Sequence, residues 1–282
     1  MAVKFIIDSG ADILPQECKK LNIIHLPLKV IFGQREYNDA VDLSHREFYE
    51  KLVESDIMPT TSQVPLGDFA DACQQVAAAG DTAVIVTISG KLSGTYQAAC
   101  IAASEYPDRI FVVDSESVSL GTRILVQHGL ALREQGVPAR EIAQQLDIQK
   151  KKIRVMALVD TLEYLKKGGR ISATVAIAGS LLSIKPVIAI EDGAVAMVGK
   201  ARGSRQGNNL LRQLIEKCGG INFTMPFCLA YSGLSDALLQ KYIADSAELW
   251  QGYTAQLPIA TVGCTIGAHA GPGAVDVAFF EN

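Results

Sequence analysis

Three segments of the N-terminal half share one layout. KFIIDSG from Lys4, AVIVTISG from Ala83 and RIFVVDSES from Arg109 are each a run of apolar residues ending in Ser, Asp or Gly. Unbroken apolar runs predict strands buried on both faces, as in a parallel sheet. The segments between them carry helical spacing. LGDFADACQQVAAA, residues 66–79, repeats apolar residues at that period and stops at Gly80, and residues 122–135 run similarly to Gly136. Alternating strands and helices predict βαβ units. The Ser- and Gly-rich turns then gather at the carboxyl ends of the strands, the edge at which open α/β sheets bind ligands.

Residues 23–58 depart from the alternation. IIHLPLKVIFGQREY reads as strands joined by a turn at Gly33-Gln34, followed by a short amphipathic helix, SHREFYEKLVE. The charged DIQKKKIR stretch precedes a new strand, VMALVD, and sets a domain boundary near residue 152. The expected layout is an N-terminal α/β domain, 1–152, and a C-terminal α/β domain, 153–282. The second begins with helices at 161–167 and 174–183, a strand at 187–190 and a hairpin turn at Asp192-Gly193 leading into AVAMVGKA. A helix at 205–217, strand FCLAYSG, a helix at 235–249 and two strands complete it.

Composition narrows the class. The chain has 282 residues, is 49% hydrophobic and 20% charged, and carries a net charge of −4, which suits a globular protein with a sizeable core. The mild acidity argues against nucleic-acid binding, which needs a basic excess. MAVKFIIDSG lacks the long apolar region of a signal peptide. VAIAGSLLSIKPVIAI is interrupted by Lys185-Pro186 and is too short for a bilayer span. The six cysteines have no CxxC pairing and read as reduced core residues. The expected location is the cytoplasm.

Five stretches carry candidate chemistry. In KLSGTYQAA, Ser93 follows a strand and precedes a helix. Three roles are open to it: helix cap, anion-holding hydroxyl, or nucleophile. Its Gly90-Lys91-Leu92-Ser93-Gly94 spacing misses the GxSxG elbow by one residue, and no acid is assignable to orient His269 as its base. In TTSQVPLGDF, Thr60, Thr61 and Ser62 precede a helix start marked by Pro65. Two helix N-termini, after residues 62 and 94, are placed to favour one carboxylate or phosphate. In LEYLKKGGRIS, Lys166 and Lys167 suit a helix C-terminus, while Arg170 follows two glycines that allow close backbone approach. KARGSR places Lys200, Arg202 and Arg205 at a hairpin exit, as a solvated cluster or as a docking patch for a negative partner. In GCTIGAHAGPGA, His269 is expected in a Gly-rich loop, where it can hydrogen-bond an anion. No second His or Cys stands at metal-ligand spacing to it, and no GxGxxG or GxxxxGK[ST] motif occurs, so neither a metal nor a nucleotide cofactor is expected.

DSGADI, TSQ, LSGTYQ, VVDSESVSLG, KKGGRIS, IKPV and GAHAGPGA occur in this order across nearly the whole chain. As an ordered set they resemble the DegV family, which includes the fatty-acid-binding subunits of bacterial fatty acid kinase. The resemblance implies a two-domain α/β fold with one long-chain fatty acid between the domains and no other cofactor. It implies that Thr61, Ser93 and His269 hold the carboxylate. It also implies that Arg170 and Arg202 serve the pocket mouth or docking to a kinase catalytic subunit. Two departures stand out: Gly10 and Ala11 replace the small hydroxyl residues usual in the family, and Val64 replaces a proline. The implied function is a carrier that presents the fatty-acid carboxylate for phosphorylation, in fatty acid uptake and phospholipid synthesis. The competing reading is a serine-dependent acyl hydrolase using Ser93 and His269.

Overall fold

The computed structural model describes residues 2–172, 184–253 and 256–282. Strands β1 (Val3–Asp8), β2 (Ile23–Leu26), β6 (Thr82–Thr87) and β7 (Ile110–Asp114) form a parallel sheet in the order β2-β1-β6-β7. Every residue of β6 is buried, which is why its sequence is an unbroken apolar run. Helices α1 (Pro15–Lys20), α3 (Leu66–Ala78), α4 (Thr95–Ala103), α5 (Leu120–Glu134) and α6 (Ala139–Gln149) connect or flank these strands. The chain leaves β1 toward one side of the sheet and β6 toward the other, so the switch point lies between them. There the buried Asp8 carboxylate accepts from Gly10 N–H at 2.9 Å and Ile88 N–H at 2.8 Å, tying the two loops together.

Residues 29–62 form a separate three-stranded antiparallel sheet, not only the strands and turn expected from its sequence. Its order is β4 (Arg35–Asn38), β3 (Lys29–Phe32), β5 (Thr60–Ser62). The TTS stretch, expected as a lead-in to a helix, is thus its third strand. Helix α2 (His45–Glu54) covers this sheet and starts with a capping box between Ser44 and Glu47.

The C-terminal sheet has six strands in the order β10-β9-β8-β13-β11-β12. They are β8 (Ile153–Leu158), β9 (Ile184–Glu191), β10 (Ala194–Arg202), β11 (Phe227–Tyr231), β12 (Ile259–Thr261) and β13 (Val275–Phe280). The β9–β10 hairpin turns at Asp192-Gly193, both at positive φ. Helix α7 (Glu163–Lys167) follows β8; α8 (Gly203–Lys217) and α9 (Ala237–Asp245) cover one face of the sheet, around Trp250 and Tyr242. The expected helix at 174–183 lies outside the described residues. The one expected over 235–249 ends at Asp245 and gives way to a 3-10 turn, Ala247–Trp250.

The other face of the six-stranded sheet packs toward the first sheet through α5. Phe5, Val84, Ile124, Val155, Ala230 and Ala278 belong to one continuous core that crosses both sheets. Ahead of the first turn of α5 the two layers are not filled by side chains, and a cavity lies there, lined by Val118 and Ser119. Among the described residues no helix is long and apolar enough to cross a membrane.

The GCTIGAHAGPGA stretch is not a loop. Cys264–Ala270 is a helix, α10, with His269 in its last turn. Local rules miss it because its N-terminal N–H groups are held by side chains far away in sequence. Asp39 accepts from Cys264 and Thr265 N–H at 3.2 Å each, and Asp12 accepts from Gly263 N–H at 3.0 Å. The helix packs its Cys264 and Ala268 side into the aromatic core of Phe32, Phe48 and Tyr49.

Candidate functional site

That packing decides where the candidate side chains meet. In β5, Thr61 pairs with Val30 of β3, and Val30 shares a core with Ala268 of α10. Thr61 Oγ1 therefore reaches His269 Nε2 at 2.8 Å, across 208 residues of sequence. The imidazole Nδ1 lies against Gly168: a Cβ there would sit 2.0 Å from it. Nδ1 is buried without a hydrogen-bond partner among the described residues. Burial first, then the charge of Arg170, lowers the His269 pKa to about 4, so the ring is neutral at physiological pH.

Arg170 spans the two halves of the molecule. Its Nε donates to Leu92 O at 3.2 Å, and one terminal N–H group donates to Gly168 O at 2.6 Å. The first bond ties the KKGGR turn to the KLSGT loop. Lys166 and Lys167 close α7 and stay exposed, as expected for cations at a helix C-terminus.

Ser93 precedes α4. Its Oγ accepts from Thr95 N–H at 3.3 Å and lies 2.9 Å from Thr95 Oγ1. This is a local turn just ahead of the helix; the N-cap is Gly94 and no side chain caps it, so Ser93 is not the helix cap. Thr95, buried, also takes Val64 N–H at 3.4 Å, and Gln63 lies across Gly94. The starts of α3 and α4 are thus adjacent, as their hydroxyl-rich sequences suggest. Val64 is fully buried at this junction, and its N–H is a bond that proline would not make. At Gly10 any Cβ would lie 2.8 Å from Ile88 and 3.1 Å from Leu28, so the turn after β1 is packed too closely for the hydroxyl residue usual in the family.

Thr61, Ser93, Arg170 and His269 line one cavity, of about 900 Å³ including its open mouth. Its walls are mostly apolar: Leu28, Ile88 and Val118 from the first half, Val155, Ala157 and Ile188 from the second. The hydroxyls, the imidazole and the guanidinium form a polar end that is partly exposed, while these apolar wall residues, other than Val118, are buried. Arg202 does not line the cavity. It ends β10, exposed, with its backbone N–H bonded to Gln206 at 3.2 Å. Lys200 and Arg205 are exposed beside it.

Three further groups near the site carry no local sequence signal. Thr265 lies four residues before His269, lines the same cavity and has a hydroxyl without a partner among the described residues. Helical spacing would have exposed the pair, had the helix been recognised. Asp276 also lines the cavity, on β13. Asp39, His45 and Cys264 place one ligand atom each within 4.8 Å of one another. Asp39 is already engaged by Ser9 Oγ and two N–H groups, His45 Nδ1 lies 2.7 Å from Thr261, and burial raises the Cys264 thiol pKa far above its ordinary value. That cluster is a hydrogen-bonded junction holding α10 to the N-terminal half.

The arrangement does not make a nucleophile. The nitrogen of His269 that would serve as base faces Thr61, and among the described residues no carboxylate orients the other. What it makes is a mostly apolar chamber with hydroxyls, a neutral imidazole and one cation along its partly exposed side. Known proteins share this chain's full length. The family model described as "Uncharacterised protein, DegV family" matches residues 2–282. A DegV domain-containing protein of Deinococcus radiodurans is 32% identical over 282 residues, covering 99% of this chain and 98% of its own. A Thermus thermophilus DegV family protein, solved for its fatty acid binding, superposes with a TM-score of 0.88 at 30% identity, covering 99% of this chain and all of its own. A DegV lipid-binding protein of Thermotoga maritima superposes with a TM-score of 0.84 at 26% identity, covering 99% of each chain. With its ordered motifs, its mixed α/β fold of three sheets and these relatives along its whole length, the chain belongs to the DegV family.

Proposed function

We propose that this protein binds one long-chain fatty acid in the cavity, with the carboxylate at Thr61, Ser93 and His269, and presents it to a separate kinase subunit. The observation that carries the reading is the Thr61–His269 contact at 2.8 Å, which sets a polar clamp at the partly exposed end of a mostly apolar chamber. The fatty-acid-binding Thermus relative supports the ligand class.

The energetics suit a carrier. Each buried CH₂ contributes about 0.8 kcal/mol, so a C16 tail supplies on the order of 11 kcal/mol gross. Association and ordering offset a large share. The tail therefore sets affinity, while the polar end selects and orients the head group. Hydrogen bonds to a carboxylate contribute about 1.5–3 kcal/mol each. Neutral hydroxyls and a neutral imidazole hold it without taking its charge, leaving an oxygen able to attack the terminal phosphoryl group of ATP on the kinase, with ADP leaving. Arg170, at the same end, attracts the carboxylate through its charge. Arg202, with Lys200 and Arg205, forms an exposed cationic patch suited to docking the kinase. The protein performs no chemistry of its own in this scheme, and the acyl phosphate it would hold is the form handed on to phospholipid synthesis.

Reconstitution tests the proposal. With a bacterial fatty acid kinase catalytic subunit and ATP, the loaded protein yields acyl phosphate. If the protein binds fatty acid but no such kinase phosphorylates it, the carrier role fails and the binding role stands. The hydrolase alternative predicts turnover of an activated acyl ester by the isolated chain, lost in Ser93→Ala; the geometry of His269 does not favour it.

A further inference from the structure

The inner wall of the cavity carries a group that an all-methylene chain leaves unused. Asp276 stands on β13, the strand between β8 and β11, with Ala157 and Ala230 as its cross-strand neighbours. Those two small side chains leave its carboxyl group clear on the cavity face of the sheet. Asp276 is only 6% exposed, lines the cavity, and has an oxygen, Oδ1, without a hydrogen-bond partner among the described residues. Two hydroxyl residues line the same cavity nearby in the argument of donors: Thr265, whose hydroxyl bonds neither Asp276 nor any other described residue, and Ser119, held at a φ of +52°. The single O–H of Ser119 is already donated to Asp12 Oδ2. Asp12 and Asp276 repel as like charges, the backbone N–H of Val277 bonds the Asp276 carboxyl, and among the described residues no cation shifts it. A buried carboxyl oxygen with nothing to bond is costly, so the site is built for a polar partner that arrives with the ligand.

Resting on the fatty-acid reading above, we infer that Asp276 is a second polar subsite, and that this chain favours an acyl chain bearing a hydroxyl group part way along it. A hydroxyl both donates and accepts, so it satisfies the carboxyl group whether or not that group carries a proton. A keto oxygen serves only the protonated form, and a plain methylene chain serves neither. Burial raises the Asp276 pKa to about 7, so both forms are present near neutral pH.

The test is a competition series: one saturated long-chain acid and its mono-hydroxy isomers, with the hydroxyl moved along the chain, each displacing a fluorescent fatty acid. The wild-type protein should bind one isomer at least about tenfold more tightly than the parent acid, the effect of one hydrogen bond to a buried carboxyl group. In Asp276→Ala and in Asp276→Leu, which restores apolar volume, the order should reverse while the parent acid still binds. If the wild-type protein binds the parent acid but ranks every isomer at or below it, this inference is overturned and the fatty-acid site stands. Preference that survives in both variants overturns it equally. If neither the parent acid nor any isomer displaces the probe, both readings fail together.

Discussion

The two polar regions of the cavity are built in opposite ways. At the mouth, each group already has a partner: Thr61 has His269, Ser93 its local neighbour Thr95, and Arg170 both Leu92 and Gly168. On the inner wall, Asp276 stands among alanines with one oxygen unpaired. The mouth is preorganised, so a head group meets donors already in place and little side-chain order is lost on binding. The inner wall holds an unsatisfied group, which destabilises the empty protein and discriminates among chains.

Filling the chamber should produce the largest effect. Ala157→Phe places a ring on the sheet wall beside Asp276 and should lower fatty-acid affinity by about a hundredfold or more, because tail burial dominates. Isothermal titration would show it; unchanged affinity would mean that the tail lies elsewhere. At the mouth, Thr61→Val keeps the shape but removes the hydroxyl. Affinity for a long-chain acid should fall about tenfold, with little change for the corresponding alcohol. Equal losses for acid and alcohol would contradict a carboxylate clamp.

The inner wall is probed by stability against pH. Asp276 has a pKa of about 7 when folded against an ordinary 3.8, so the folded chain holds this proton more tightly than the unfolded one. Its contribution is full below the unfolded value and is lost as pH rises toward 7, with an upper bound of about 4 kcal/mol. Asp276→Asn should therefore gain stability over wild type in urea melts between about pH 4 and pH 7, and run parallel above. A constant difference across that range would place the titration elsewhere. The smallest effect on binding belongs to Arg202→Ala. Fatty-acid affinity should stay within about twofold, while phosphorylation by the kinase subunit weakens. Loss of lipid binding instead would contradict a docking role.

Legibility in sequence followed the range of the interactions. The parallel strands were plain because burial on both faces leaves unbroken apolar runs, as in β6. The hairpin at Asp192-Gly193 was plain because the turn demands those residues. Helix α10 was not, because Asp39 and Asp12 hold its start from more than 220 residues away and its glycines suggest a loop. Strand β5 was hidden for a related reason: three residues of Thr and Ser carry no period, and only pairing with β3 makes them a strand. Thr61, Ser93, Arg170 and His269 were named from ordered motifs, and the fold brings all four to one cavity. Thr265 lies in the GCTIGAHAGPGA stretch but only the helical path of α10 turns it to the cavity, and Asp276, outside every motif, is revealed only by the small neighbours on β8 and β11.

The central claim is that the chamber holds one long-chain fatty acid. Native mass spectrometry of the purified full chain, followed by solvent extraction of the ligand, tests it most directly. The expected spectrum shows the chain plus the mass of one fatty acid, lost on delipidation and restored when a long-chain acid is added back. A spectrum of bare protein that stays bare after incubation with long-chain acids would contradict the claim.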